Sequence, residues 1–96
     1  MRTNDKAWRQ IEKGLGSVGR LRILFALASS ELSSQTKYSL EKFTGLKPID
    51  VRKHLKILTD TGWVKEYNYN PSVYTLNLDE PKAMFLTDFF KKMGCL

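Results

Sequence analysis

The chain has 96 residues, 42% of them hydrophobic, and its sixteen Lys and Arg against ten Asp and Glu give a formal net charge of +6. This length predicts one domain, residues 1–96, with a core so modest that a second subunit would help to stabilise it. The apolar fraction excludes wholesale disorder, and no run approaches the roughly 18 apolar residues of a membrane span.

Composition also indicates the cellular compartment and the class of binding partner. We find no apolar segment typical of a signal peptide, and the single cysteine excludes an internal disulfide framework. We therefore expect a cytoplasmic protein. Its positive charge favours a polyanionic partner, with nucleic acid before an acidic membrane surface.

Hydrophobic periodicity predicts a series of elements along the chain. They are helices over residues 4–13, 18–29, 40–44, 48–60 and 81–94, and a β-hairpin with strands over residues 63–69 and 73–78. The helix over 18–29 has a broad apolar arc, which indicates a central place in the core. In the second strand of the hairpin, Tyr74, Leu76 and Leu78 alternate onto one face.

Residues with special backbone preferences set the predicted boundaries. Asn4 or Asp5 is available to cap the first helix, and Gly14 is expected to end it. Gly45 is suited to a helix C-cap because it enters the left-handed region at little cost. Pro48 suits the first position of the next helix, where no backbone hydrogen bond is lost.

The helix over residues 48–60 separates apolar from basic side chains. Val51, Leu55 and Leu58 recur at helical spacing and are predicted to pack inward. The outward set is Lys47, Ile49, Asp50, Arg52, Lys53 and Lys56. A helix, a short helix, a tight turn, a longer helix and a hairpin follow one another in the order of a winged helix-turn-helix. In that arrangement the longer helix is free to enter a major groove.

Three motifs resemble the ArsR-type winged-helix repressors. Residues 19–24 (GRLRIL) resemble the opening helix of that family, whereas residues 51–58 (VRKHLKIL) and 62–64 (GWV) resemble the recognition helix and its exit into the wing. The resemblance covers residues 17–78 and extends to the short winged-helix regulators of archaea and their viruses. It implies a mainly α fold with a small β-hairpin (α+β): a winged helix-turn-helix with extra N- and C-terminal helices.

The predicted elements divide the chain into three parts, and the resemblance implies a set of DNA contacts. Residues 1–16 would form an N-terminal helix and hinge, 17–79 the winged-helix core, and 80–96 a C-terminal dimerisation helix. Arg52 and Lys53 are the candidates for guanine edges. On the helix, the residues that would face DNA are Lys47, Ile49, Arg52, Lys53 and Lys56, and we count Asp50 with them. On the wing, the residues expected at or near the hairpin tip, where they meet the backbone or the minor groove, are Lys65, Tyr67, Asn68, Tyr69 and Asn70.

A homodimer is expected because apolar side chains on the first and last helices exceed what a small core absorbs. The predicted dimer residues are Trp8, Ile11, Met84, Phe85, Phe89, Phe90 and Met93. The two terminal helices would pack as an antiparallel pair and then against a twofold mate, which places two recognition helices about 34 Å apart.

Other apparent motifs favour structural readings. Residues 14–19 match G-x-G-x-x-G, but no strand precedes them, so we expect a corner between helices with Ser17 as a cap. His54 is expected at the core edge, hydrogen-bonded to backbone, and Cys95 as a free thiol. Residues 39–44 lack the cysteine pair of the family's metal sensors, so no metal or cofactor is expected.

The predicted function is sequence-specific binding of double-stranded DNA by a homodimeric transcriptional regulator without enzymatic activity. No nucleophile and base are paired in the pattern, and the carboxylates are scattered. Two alternatives stay open: a winged-helix protein–protein module in a transcription or replication assembly, and a nucleoid-type binder without sequence preference.

Overall fold

The computed structural model describes residues 5–29 and 34–96. The predicted Asn4 cap lies outside these residues. Within them the elements are α1 Asp5–Leu15, α2 Val18–Ser29, β1 Gln35–Thr36, α3 Lys37–Thr44, α4 Pro48–Asp60, β2 Val64–Tyr67, β3 Val73–Leu76 and α5 Pro81–Lys92. No helix in the described part of the chain is long and apolar enough to cross a membrane.

Local capping explains the bounds of the two central helices. The Thr36 hydroxyl accepts a hydrogen bond of 3.1 Å from the Ser39 N–H, so α3 begins three residues earlier than the sequence pattern predicts. Gly45 ends α3 in the left-handed conformation with φ of 74°, as predicted. Helix α4 spans the predicted residues 48–60, with Pro48 in its first turn.

Gly14 contradicts the sequence prediction, because it lies inside α1 and does not end it. The indole ring of Trp63 packs on Gly14 so closely that a Cβ there would lie 2.7 Å from Trp63 Cζ2. The ring is held in place by its Nε1–H, which donates a 2.8 Å hydrogen bond to the Gln10 carbonyl oxygen. Gly14 therefore allows a close approach between α1 and the chain that follows α4.

The hairpin is part of a three-stranded antiparallel sheet with the order β1-β3-β2. Strand β1 pairs Gln35 with Tyr74, and it was not predicted because two residues are too short to show alternation. Tyr74 and Leu76 are buried, but Leu78 is 59% exposed because β3 ends at Leu76 and the chain then leaves the sheet.

The core is built around α2, which packs against α1, α3, α4, α5 and β3, as its broad apolar arc predicts. Its buried side chains are Ile23, Leu24, Ala26 and Leu27. Those of α4 are Val51, Leu55 and Leu58, and those of α5 are Ala83, Leu86 and Phe90. Since α2 and α4 share this core, the buried side of α4 is fixed and its opposite side faces solvent.

Candidate nucleic-acid interface

Helix α4 has one apolar and one basic side in the structure. Val51, Leu55 and Leu58 are at most 2% exposed, which anchors the helix. Ile49 is 64% exposed, and Arg52, Lys53 and Lys56 are exposed as well. We call this outward face of Ile49, Arg52, Lys53 and Lys56 the basic strip.

The positive charges of the basic strip differ in whether a neighbouring carboxylate pairs with them. Lys56 Nζ lies 3.4 Å from an Asp60 carboxylate oxygen in an exposed i,i+4 ion pair, which offsets part of its charge. Neither Arg52 nor Lys53 forms an ion pair within the described residues. The uncompensated positive charge therefore lies in the middle of α4.

At the N-terminal end of α4, one of the residues predicted to face outward is half-buried. Lys47 is exposed, with an extended backbone, and its side chain makes no capping hydrogen bond within the described part of the chain. The first N–H groups of a helix lack intrahelical partners and attract anions. Asp50 is half-buried on the flank of α4 beside the basic strip, and its charge offsets only part of the lowering of the His54 pKa that burial causes.

A further lysine that the sequence pattern did not single out joins two members of the basic strip. Lys37, Arg52 and Lys56 line one surface pocket of about 310 Å³, to which Asp60 and Glu66 also contribute. Lys37 was missed because the pattern placed it in a loop. The spacing of Thr36 and Ser39 is the signal that would have placed Lys37 in the first turn of α3.

At the wing, the structure separates the tip from the base of the hairpin. Asn68, Tyr69 and Asn70 are exposed between the strands, and the Tyr69 ring stacks on Tyr67 with centroids 6.1 Å apart. Lys65 instead pairs with Asp79 at the base of the hairpin, and this hydrogen bond raises the pKa of Lys65. Lys65 therefore lies at the base of the hairpin and not near its tip, and its contact with DNA stays a prediction.

His54 connects α4 to α2, and its predicted hydrogen bond to backbone is wrong. Arg20 Nη1–H donates a 3.3 Å hydrogen bond to His54 Nδ1, which requires that nitrogen to accept. A Cβ at Gly19 would lie 2.8 Å from His54 Cδ2, so the glycine provides room for the ring. Burial, and then the Arg20 charge, lower the pKa of His54. The predicted cap on α2 is present, since the Ser17 hydroxyl accepts from the Arg20 N–H at 3.3 Å.

The exposed apolar side chains on the terminal helices are largely those predicted for a dimer. On α5 the exposed fractions are 57% for Met84, 72% for Phe85 and 56% for Phe89, and Met93, which caps the helix, is 63% exposed. On α1 they are 42% for Trp8 and 41% for Ile11. Phe90 differs, because it is 7% exposed and packs edge-on against Phe25 with ring centroids 5.4 Å apart. Phe90 therefore belongs to the core of its own chain.

The two terminal helices also depart from the predicted antiparallel pair. Within one chain, α1 packs mainly on α2 and α4, whereas α5 packs mainly on α2. Helix α5 contributes Ala83, Leu86 and Phe90 to the core, whereas the buried residue of α1 is Gly14. The described residues leave the outer faces of both helices uncovered in the monomer.

Comparison with solved structures identifies the arrangement. The transcriptional repressor BigR from Xylella fastidiosa superposes with a TM-score of 0.75 at 21% identity, covering 94% of this chain and 88% of BigR. This chain has the winged helix-turn-helix fold. The predicted mainly α fold with a small hairpin and extra terminal helices is therefore confirmed. Helices α3 and α4 form the helix-turn-helix of this fold, and β2 and β3 form its wing.

Two further winged-helix structures agree with this assignment. The homodimeric DNA-binding domain of Mb0332 from Mycobacterium bovis matches with a TM-score of 0.70 and 18% identity, covering 98% of this chain and 88% of that domain. The ArsR-family transcriptional regulator RHA00566 matches with a TM-score of 0.66 and 17% identity, covering 98% and 92%. No protein-family model matches the sequence, and no curated protein matches it at a significant level.

The described residues offer no metal centre of the kind used by metal sensors. Within residues 5–29 and 34–96, no three His, Cys, Asp or Glu side chains lie together where they could hold a metal ion. Cys95 is free and exposed.

Proposed function

We propose that this chain is a transcriptional regulator that binds double-stranded DNA sequence-specifically as a homodimer. The observation that carries the proposal is the two-sided α4. Its apolar side is anchored in the core, while Arg52 and Lys53 are exposed and form no ion pair with any residue that the structure describes. Two of the similar structures support it. BigR is a transcriptional repressor, and Mb0332 is a possible ArsR-family regulator with a homodimeric DNA-binding domain.

Each part of the surface has a distinct role in this proposal. Arg52 and Lys53 contact base edges in the major groove, where an Arg or Lys pairs best with guanine. Lys47 directly precedes α4, and Lys37 is the first residue of α3. These two lysines hold phosphates on either side of the groove. The wing tip, from Asn68 to Asn70, contacts the backbone or the minor groove.

The homodimer forms through the exposed apolar faces of α1 and α5. These faces carry large side chains more than 40% exposed, including Trp8, Ile11 and Phe85, whose burial against a second copy removes apolar surface from water. The chain is 43 Å in its longest dimension. A twofold dimer of this size can place two α4 helices one DNA turn of about 34 Å apart.

Binding to selected duplexes tests the proposal. Duplexes are selected from a random pool on the full chain, and the affinity is then measured between low and moderate salt for wild type, Arg52→Gln and Lys53→Gln. Each lost base contact should cost about 1–3 kcal/mol, and each lost phosphate contact should reduce the salt slope by about one. Because a homodimer carries every substitution twice, both effects should be about doubled in the dimer.

Lys91→Gln is the matched control, since Lys91 is an exposed lysine on α5. We expect it to leave the affinity and the salt slope near those of wild type. Enrichment of no sequence, with strong low-salt binding, would instead identify a nucleoid-type binder. Absence of duplex binding at low salt would contradict the proposal and favour a protein–protein module.

A further inference from the structure

A second site lies on the side of the helix-turn-helix that faces α2 and α5. A pocket of about 450 Å³ opens there, and none of its lining side chains comes from α4. Three aromatic rings form its walls, with Phe25 at 6.4 Å from Phe43 and 5.4 Å from Phe90 between ring centroids. Pockets of about 300–1,000 Å³ lined by aromatic side chains are typical of sites for small organic molecules.

The polar groups at this aromatic pocket indicate the charge of its ligand. Arg22, in the middle of α2, lines the pocket and is exposed, and it forms no ion pair within the described residues. Among the residues that the structure describes, no acidic side chain lines the pocket. We propose that it binds an amphipathic organic anion, whose apolar body packs on the aromatic rings while its carboxylate pairs with Arg22.

The pocket is distinct from the proposed dimer face. Phe90 reaches it from the buried side of α5, whereas Phe85 and Phe89 project from the same helix into solvent. The proposal requires that a second copy seated on those exposed side chains leaves the pocket available to a small ligand.

Thr44 gives the pocket a physical connection to the recognition helix. Its hydroxyl donates a 2.6 Å hydrogen bond to the Leu40 carbonyl oxygen and accepts a 3.2 Å bond from the Leu46 N–H, so it holds the turn between α3 and α4. Thr44 and the adjacent Phe43 both line the pocket. A ligand that displaces the end of α3 changes the position of α4, so occupancy regulates DNA affinity; this step rests on the proposed function.

Ligand binding is tested first without DNA. The probes are 8-anilinonaphthalene-1-sulfonate, read by fluorescence, with decanoate and uncharged decanol as competitors. Arg22→Gln should weaken decanoate about tenfold and leave decanol unchanged, since it removes only the charge-assisted contact. Arg9→Gln is the matched control, because Arg9 is an exposed arginine on α1.

Cys95 reports the location independently, because it lines the pocket and is the only cysteine. Bound decanoate should slow alkylation of Cys95 by iodoacetamide in wild type, and at the same concentration should slow it much less in Arg22→Gln. Equal binding of decanoate to wild type and Arg22→Gln, or no protection of Cys95, would overturn the assignment. Loss of probe binding as protein concentration rises would show that a second copy covers the pocket, and would also overturn it.

The regulatory step is tested with the duplex selected above. Decanoate should change the DNA affinity of wild type by about fivefold or more, the lower end of typical coupling between sites, and should not change that of Arg22→Gln. Ligand binding without any change in DNA affinity would refute the regulation alone. Ligand binding in a protein that binds no DNA would refute the proposed function and leave the pocket assignment intact.

Discussion

Replacing Gly14 by alanine tests the packing of α1 on the rest of the fold. At an open position inside a helix, this change stabilises by about 0.5–1 kcal/mol. Here the new methyl group would lie 2.5 Å from Trp63 Nε1 and 2.7 Å from Cζ2, against an ordinary contact of about 3.5–4.0 Å. The ring cannot easily retreat, because Trp63 is 2% exposed, bonded to the Gln10 carbonyl oxygen and covered by Lys82 Nζ at 5.1 Å from a ring centroid.

The expected net effect is destabilising. Overpacking costs about 1–3 kcal/mol and loss of the indole hydrogen bond about 1 kcal/mol, and together they outweigh the gain in helix propensity. A net loss of about 2 kcal/mol corresponds to a fall of about 8–16 °C in Tm for a chain of this size. Urea unfolding followed by circular dichroism measures the free energy of unfolding directly.

The control for Gly14→Ala is the same change in a Trp63→Leu background. Without the indole ring the methyl group has room, so Gly14→Ala should there become neutral or stabilising. If Gly14→Ala instead stabilises the wild type by as much as at an open helical site, the contact between α1 and Trp63 is wrong.

Three further predictions concern titration and assembly. Because the folded state lowers the pKa of His54, the unfolded state binds more protons below about pH 6.5, so stability should fall as the pH drops through that range, and less so in His54→Gln. Burial and the Glu66 charge raise the pKa of Tyr74 to about 12, so stability should fall between about pH 10 and 12. Deprotonation of Tyr74 should appear as a rise in tyrosinate absorbance in the same pH range. This rise should be missing in Tyr74→Phe and present in Tyr69→Phe. Phe85→Glu should give a monomer by light scattering at micromolar concentration; an unchanged dimer mass would exclude the α5 face.

Local signals were sufficient to predict α4 because several agreed over one segment. Pro48 fixes its start, and the spacing of Val51, Leu55 and Leu58 predicts the buried side that the structure shows. Gly45 ends the preceding helix as predicted. These features depend on residues within a few positions of one another, so the sequence pattern carries them directly.

Features set by contacts between distant residues could not be predicted in the same way. Gly14 was expected to end a helix, but Trp63, distant in sequence, makes it a packing position. The pattern grouped Phe89 and Phe90 on one apolar helix, whereas contact with Phe25 places Phe90 in the core. Lys65 was expected near the tip of the wing. It lies at the base of the hairpin instead, where it pairs with Asp79, a residue beyond the hairpin.

The anchoring of α4 predicts how a ligand in the aromatic pocket would affect DNA contacts. At the C-terminal end, the Thr61 carbonyl oxygen accepts a 2.6 Å hydrogen bond from Lys82 Nζ of α5, which holds that end in place. At the N-terminal end, the turn held by Thr44 lies against the pocket. A displacement of that turn should therefore pivot α4 about its C-terminal end and move Lys47 further than Lys56. We accordingly expect ligand to alter phosphate contacts at the start of α4 most, so in Lys47→Gln the ligand should change the salt slope of DNA binding less than in wild type.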